Sequence, residues 1–160
     1  MMFISASLVA IAAGAYVFSN SAKAGGQNQP EKLTASALRA MVVGLGYEVK
    51  DLNTEPGKEK YEFTVKLPDF NVPVGCEISP SQNYIWFTAF LGPAPKTGDV
   101  KYENMIKENG VVQPTFFYVT SKGNLMIAIA GENRYVNPTW MKRNIDKLAG
   151  DVSKTAKVWQ

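Results

Sequence analysis

Two successive segments of the chain alternate apolar and polar residues with a period of two, and no other feature restricts the possible folds as strongly. They span residues 61–67 and 72–78. Because successive side chains of a β-strand point to opposite faces of a sheet, each segment predicts a strand with one buried and one solvated face. Pro73 lacks a backbone N–H, so the second strand should have a sheet edge or a bulge at that point.

The next apolar segment, residues 84–91, does not alternate, since both parities are apolar. This pattern predicts a central strand covered on both faces, or a strand with one face in a dimer interface. A short strand is also predicted at residues 47–52. Residues 115–120 and 125–130 are predicted as two further strands joined by a hairpin.

Three segments carry apolar residues at helical spacing. The first follows Thr34 and the second follows Asp99, and both residues are favourable N-caps. The third begins at Asn137-Pro138, where an N-cap precedes a proline at the first helical position, and is predicted to continue to the C-terminus. The elements are therefore a helix, three or four strands, a helix, two strands and a helix. This order predicts an α+β fold with helices packed on one face of an antiparallel sheet.

The N-terminal segment has the features of an export signal. Residues 3–18 are uncharged and mostly apolar, and Ala22-Lys23-Ala24 places small residues where a signal peptidase requires them. A run of 16 apolar and small residues is short for a membrane span, which needs about 20. An uncleaved signal anchor is the alternative, and it is the only predicted route to a membrane.

These features predict a domain layout. We expect a signal peptide over residues 1–24 that is cleaved between Ala24 and Gly25, a linker over residues 25–31, and a single α+β domain over residues 32–160. The protein would then be exported, either to the periplasm or as a secreted protein.

The composition argues against most catalytic chemistry. The chain contains no His and a single Cys among its 160 residues. These counts exclude His-based triads, His-ligated zinc, an intramolecular disulfide and multi-thiolate metal sites. Carboxylate pairs such as Asp146 with Asp151 are predicted to be solvated beside lysines, whereas a general acid needs a desolvated carboxyl group. We therefore predict no enzyme activity, no catalytic residue, no metal and no cofactor.

Cys76 shares its parity with the apolar residues Val72, Val74 and Ile78. This position predicts a buried, unreactive thiol. An intermolecular disulfide is the alternative that a lone cysteine in an exported protein leaves open.

Aromatic residues of strand 84–91 and of the later hairpin form the candidate binding surface. Nucleic acid is not the predicted partner, because lysines and arginines are not interleaved with these rings and the net charge is only +3. Aromatic side chains more often form protein cores and protein interfaces. The candidate partner-binding or ligand-binding residues are Tyr84, Trp86, Phe87, Phe90, Phe116 and Tyr118.

Several short motifs together resemble a known family. They are Glu108-Asn109-Gly110, Pro114-Thr115-Phe116-Phe117, Gly123-Asn124-Leu125, Asn133, Val136-Asn137-Pro138, and Ile145-Asp146-Lys147-Leu148 through Thr155 and Trp159. In this order they resemble bacterial proteins with the fold of the type III secretion class I chaperones and the YbjN-like family, over residues 33–159. The resemblance implies an α-β-β-β-α-β-β-α domain that often dimerises, binds other polypeptides and carries no catalytic residues.

The sequence thus predicts an exported, non-enzymatic protein-binding module that forms a homodimer. The alternative is a periplasmic carrier of a small apolar or lipid ligand, with a pocket lined by Trp86, Phe87 and Phe116. An enzyme would have to rely on Tyr, Lys or carboxylate chemistry alone.

Overall fold

The computed structural model describes residues 31–96 and 98–160. The predicted signal peptide, its cleavage between Ala24 and Gly25, and residues 25–30 of the predicted linker lie outside the described residues.

The described residues form a six-stranded antiparallel sheet with helices on one face, which confirms the predicted fold class. Four strands, rather than three, precede the second helix. The strand order across the sheet is β1-β2-β3-β4-β6-β5. In chain order the elements are α1 (Ala35–Gly44), β1 (Lys50–Asn53), β2 (Lys60–Lys66), β3 (Asn71–Ile78), β4 (Tyr84–Pro93), α2 (Val100–Glu108), β5 (Phe116–Val119), β6 (Asn124–Glu132), α3 (Pro138–Lys154) and α4 (Ala156–Trp159).

The predicted caps define where the helices begin. The Thr34 hydroxyl accepts a hydrogen bond from the Ala37 N–H at 3.2 Å, at the start of α1. The Asn137 side chain accepts one from the Trp140 N–H at 2.9 Å, at the start of α3. Each cap satisfies a backbone donor that the first turn of a helix leaves unpaired.

The C-terminal helix, predicted as continuous, is interrupted at Thr155. The Thr155 hydroxyl donates to the Asp151 carbonyl oxygen at 2.6 Å. Threonine side chains that bond to the backbone in this way compete with the helical pattern. The short α4 that follows is tied back to α3, because the Trp159 indole N–H donates to the Val152 carbonyl oxygen at 3.1 Å.

The core lies between the sheet and the helices α1 and α3. The alternation of β2 and β3 is confirmed, since one parity of each strand is buried against these helices. On α3 the apolar residues recur at helical spacing and form one buried stripe. The buried residues of that stripe are Met141, Ile145, Leu148, Ala149 and Val152.

Cys76 is fully buried in this core, as predicted. Burial raises the pKa of its thiol to about 12, so the thiol stays protonated and unreactive at neutral pH. An intermolecular disulfide would need this sulfur at the surface.

Pro73 lies at a local edge, as predicted. It is paired with Thr64 of β2, whereas β3 pairs with β4 only over Gly75–Ile78. The missing N–H of the proline therefore leaves no gap in the ladder between β3 and β4.

Asn133 fixes the beginning of the domain to the end of the sheet. Its side chain is fully buried. It accepts a hydrogen bond from the Leu33 N–H at 2.9 Å and donates to the carbonyl oxygens of Leu33 at 3.0 Å and Gln82 at 3.1 Å. All of its hydrogen-bonding groups are thus engaged with backbone, which is the condition for burying an amide.

The structure corrects one expectation about β4. The strand is central, and Ile85 and Phe87 on one face are fully buried. On the other face Tyr84 is 47% exposed and Phe90 is 59% exposed. The prediction that both faces are covered is wrong for the single chain, because α1 and α3 pack on the same side of the sheet.

Candidate protein-binding face

The uncovered side of the sheet carries aromatic residues on β4 and β5, with Met126 of β6 between them. The strand register places Trp86 opposite Ala130, and Phe90 opposite Met126, which in turn lies opposite Tyr118. Because side chains alternate along a strand, these residues share one face of the sheet. We call this surface the aromatic face and define it as Tyr84, Trp86, Phe90, Phe116, Tyr118 and Met126.

The Phe116 ring contacts two other rings, that of Trp86 across β6 and that of Tyr118 on its own strand. The Trp86 and Phe116 ring centroids are 6.0 Å apart with an interplanar angle of 80°, an edge-to-face arrangement. The Phe116 and Tyr118 centroids are 5.9 Å apart. Ala128 of β6 lies between the strands that carry Trp86 and Phe116 and is fully buried. Because its side chain is small, the two rings can meet above it. The pairs are stabilised by their geometry as well as by burial.

The exposed part of the aromatic face lies on β4. Phe90 and Tyr84 are the two exposed aromatic rings of the surface, while Trp86 is half-buried between them. Exposed apolar side chains that share one face of a sheet and are bordered by polar residues are typical of an interaction site. Aromatic residues are also the type that most often anchors a protein interface.

Charged residues of β2 and β3 border the aromatic face on one side. The Lys60 amine and the Glu77 carboxylate are 3.5 Å apart, and the register places Glu77 beside Trp86. Burial raises the pKa of the Tyr118 hydroxyl, and the nearby Glu77 carboxylate raises it further. The hydroxyl is therefore a protonated donor at neutral pH. The arrangement matches the apolar centre and polar rim of protein interfaces.

Five of the six predicted site residues belong to this surface, and Phe87 does not. Phe87 lies on the opposite face of β4, is fully buried, and its ring is 6.3 Å from that of Trp140. The predicted ligand pocket of Trp86, Phe87 and Phe116 is therefore not formed, because the sheet separates Phe87 from the other two. Position 87 is odd, whereas positions 84, 86 and 90 are even, so the alternation of side chains along a strand already places Phe87 on the opposite face.

The concavities of the described residues also differ from an enclosed apolar pocket. One groove of about 600 Å³ runs beside Trp86, Phe116 and Tyr118 and opens to solvent. Another concavity of about 970 Å³ lies next to β2 and is lined by charged side chains, including Lys142 and Asp146. Small-molecule sites are usually enclosed and mostly apolar, whereas the first of these concavities is open and the second is lined by charged residues.

Asp151 was predicted to be solvated, and the structure shows it buried. Its carboxylate accepts hydrogen bonds from the Thr115 hydroxyl and the Lys147 amine, and the Lys147 amine also donates to the Val112 carbonyl oxygen at 2.7 Å. These contacts tie α3 to the segment before β5. Asp151 adjoins the buried stripe, three positions after Leu148 and one before Val152, and this spacing was the available signal.

Two further findings concern the described residues only. In residues 31–96 and 98–160, no three His, Cys, Asp or Glu side chains converge where they could hold a metal ion. Within the same ranges, no helix combines the length and apolar character needed to cross a membrane.

Comparison with known proteins finds similarity at the level of structure. No protein-family model matches the sequence, and no curated protein matches it. A chain in the heterodimeric ExoU–SpcU complex from the type III secretion system of Pseudomonas aeruginosa is similar, with 12% sequence identity and a TM-score of 0.47, over 76% of this chain and 96% of that one. A chain in the complex of the Yersinia pestis type III secretion chaperone SycH with a stable fragment of YscM2 is similar, with 14% identity and a TM-score of 0.48, over 77% of this chain and 97% of that one.

Proposed function

We propose that this protein is a non-enzymatic protein-binding module and that the aromatic face is its binding surface. The observation that carries the proposal is the uncovered face of β4, where Phe90 and Tyr84 are 59% and 47% exposed beside the half-buried Trp86. Exposed rings of this size are unfavourable in water, so a partner that covers them gains the transfer free energy of their surface.

We further propose that one partner is a second copy of the chain. In a two-fold symmetric dimer the same patch meets itself, so the aromatic face of one protomer can cover that of the other. The border of Lys60 and Glu77 suits such pairing, because each protomer presents both signs of charge beside its apolar area. A stable dimer of this kind should bury about 1,200 Å² or more in total.

We also propose that the protein is exported. The proposal rests on the uncharged, apolar run at residues 3–18 and on Ala22-Lys23-Ala24. The N-terminal residue of the protein purified from its own host tests it directly. Gly25 at the N-terminus supports cleavage and export, and Met1 contradicts cleavage.

Sedimentation equilibrium of the purified protein tests the dimer. We expect a wild-type dimer, and we expect Phe90→Glu to be monomeric because it places a charge in the centre of the apolar contact. Val43→Glu is the control, since Val43 is 46% exposed and lies on α1, on the helical side of the sheet. It should remain dimeric.

A wild-type protein that is monomeric at all concentrations would contradict the proposed dimer. If Val43→Glu dissociates the dimer and Phe90→Glu does not, the interface lies elsewhere.

A further inference from the structure

The sheet ends on one side at β5, a strand of only four residues. An edge strand presents unpaired N–H and C=O groups to which another chain can pair. Phe116 lies opposite Ala128 and Tyr118 lies opposite Met126 of β6. Because an antiparallel ladder alternates, the backbone groups of Phe117 point away from β6, toward the outer edge.

The side chain of Asn109 occupies this outer position. Its Oδ1 accepts a hydrogen bond from the Phe117 N–H at 2.6 Å, and its Nδ2 donates to the Phe117 carbonyl oxygen at 3.2 Å. A residue of a neighbouring strand would make the same pair of contacts. The carboxamide of Asn109 thus takes the place of a further strand at Phe117.

The segment after Asn109 is anchored to α3. The Lys147 amine donates to the Val112 carbonyl oxygen at 2.7 Å and to the buried carboxylate of Asp151. The Thr115 hydroxyl has one proton, which it shares between the same two acceptors, with its oxygen 2.7 Å from that of Val112. These contacts hold the chain close to β5, so Asn109 is kept beside the edge of the sheet.

The next outward position on β5 has no such cover. Val119 is 38% exposed, and the same alternation of the ladder points its backbone N–H away from β6, as it does for Phe117. Without Asn109, Phe117 and Val119 would present consecutive open positions along one edge. Two such edges could pair antiparallel, since a strand edge is complementary to a second copy of itself.

We propose that Asn109 is an edge cap: its carboxamide prevents the β5 edge of a second copy from adding to this sheet. Association of the protein is thereby restricted to surfaces other than this edge. This inference is independent of the proposed binding function, because it concerns a different surface and predicts contacts that the native protein does not make. It also gives a role to the anchored segment around Val112 and the buried Asp151.

Hydrogen exchange of the wild-type protein provides the first test. We expect the Phe117 amide to be protected and the Val119 amide, on the same edge, to exchange freely. In Asn109→Ala the Phe117 amide should exchange about fivefold faster or more, the factor that corresponds to one net hydrogen bond. Equal exchange of the two amides in the wild-type protein would overturn the proposal without any variant.

Sedimentation at increasing protein concentration provides the second test. We expect Asn109→Ala to form larger species than the wild-type protein. Adding Val119→Pro should remove them, because proline deletes the outward N–H that a second β5 strand would need. Circular dichroism confirms that each variant is folded. A folded Asn109→Ala protein with wild-type sedimentation would refute the cap, as would larger species that persist with Val119→Pro.

Discussion

Replacing Gly131 with alanine should destabilise the protein, because the side chain of Trp140 occupies the space that a Cβ atom needs. A Cβ built on Gly131 would collide with Cζ2 of Trp140 and would lie 2.9 Å from Cη2 of the same ring. Real carbon atoms do not approach so closely, so the indole ring or the strand must move. The ring also packs near Phe87, with 6.3 Å between the centroids, so a shift would disturb the core. Overpacking of this kind costs about 1–3 kcal/mol of unfolding free energy.

The matched control is the same substitution at Gly150. This residue lies in the interior of α3, and an added Cβ would have no atom within 4 Å. Alanine favours a helix over glycine by about 0.5–1 kcal/mol, so Gly150→Ala should stabilise the protein. The two glycine-to-alanine changes therefore have opposite predicted signs.

Urea unfolding followed by circular dichroism measures both effects. We expect the midpoint to fall for Gly131→Ala and to rise for Gly150→Ala, with unchanged slopes. A Gly131→Ala protein as stable as the wild type would refute the contact between Trp140 and the sheet. It would also weaken the assignment of this face as the one that the helices cover.

Three further predictions concern local interactions. Asn137→Ala should cost about 1 kcal/mol of stability in urea unfolding, because it removes the cap that accepts the Trp140 N–H. Asp151→Ala should cost about 2 kcal/mol in the same measurement, since it leaves the Thr115 hydroxyl and the part-buried Lys147 amine without their shared acceptor. Burial raises the pKa of Cys76 from 9.0 to about 12, so the stability due to its neutral thiol is complete below pH 9 and decreases as the pH rises toward 12. A thiol reagent at pH 8 should accordingly label Cys76 only after unfolding, and labelling of the folded protein would contradict its burial.

Local patterns in the sequence predicted the elements and the caps. The alternation over residues 61–67 gave the buried face of β2, and Thr34, Asp99 and Asn137 marked the starts of helices. These features depend on neighbours within a few residues, so they can be read from the order of residues alone.

The errors arose where distant segments decide the outcome. Whether β4 is covered on both sides depends on where α1 and α3 pack. The apolar run at residues 84–91 carries no information about the position of these helices. The burial of Asp151 depends on Thr115, 36 positions away in the chain. The binding role of Phe87, by contrast, conflicts with its own parity, which placed it with the core residues of β4.

Photo-crosslinking in the cells of origin shows directly whether the aromatic face binds protein. A photoreactive amino acid at position 90 would stand on the aromatic face, and the same amino acid at position 43 would stand on the exposed side of α1. We expect protein adducts from position 90, including one with twice the mass of the chain, and none from position 43. Adducts from position 43 alone, or none from position 90, would contradict a binding role for the open face of the sheet.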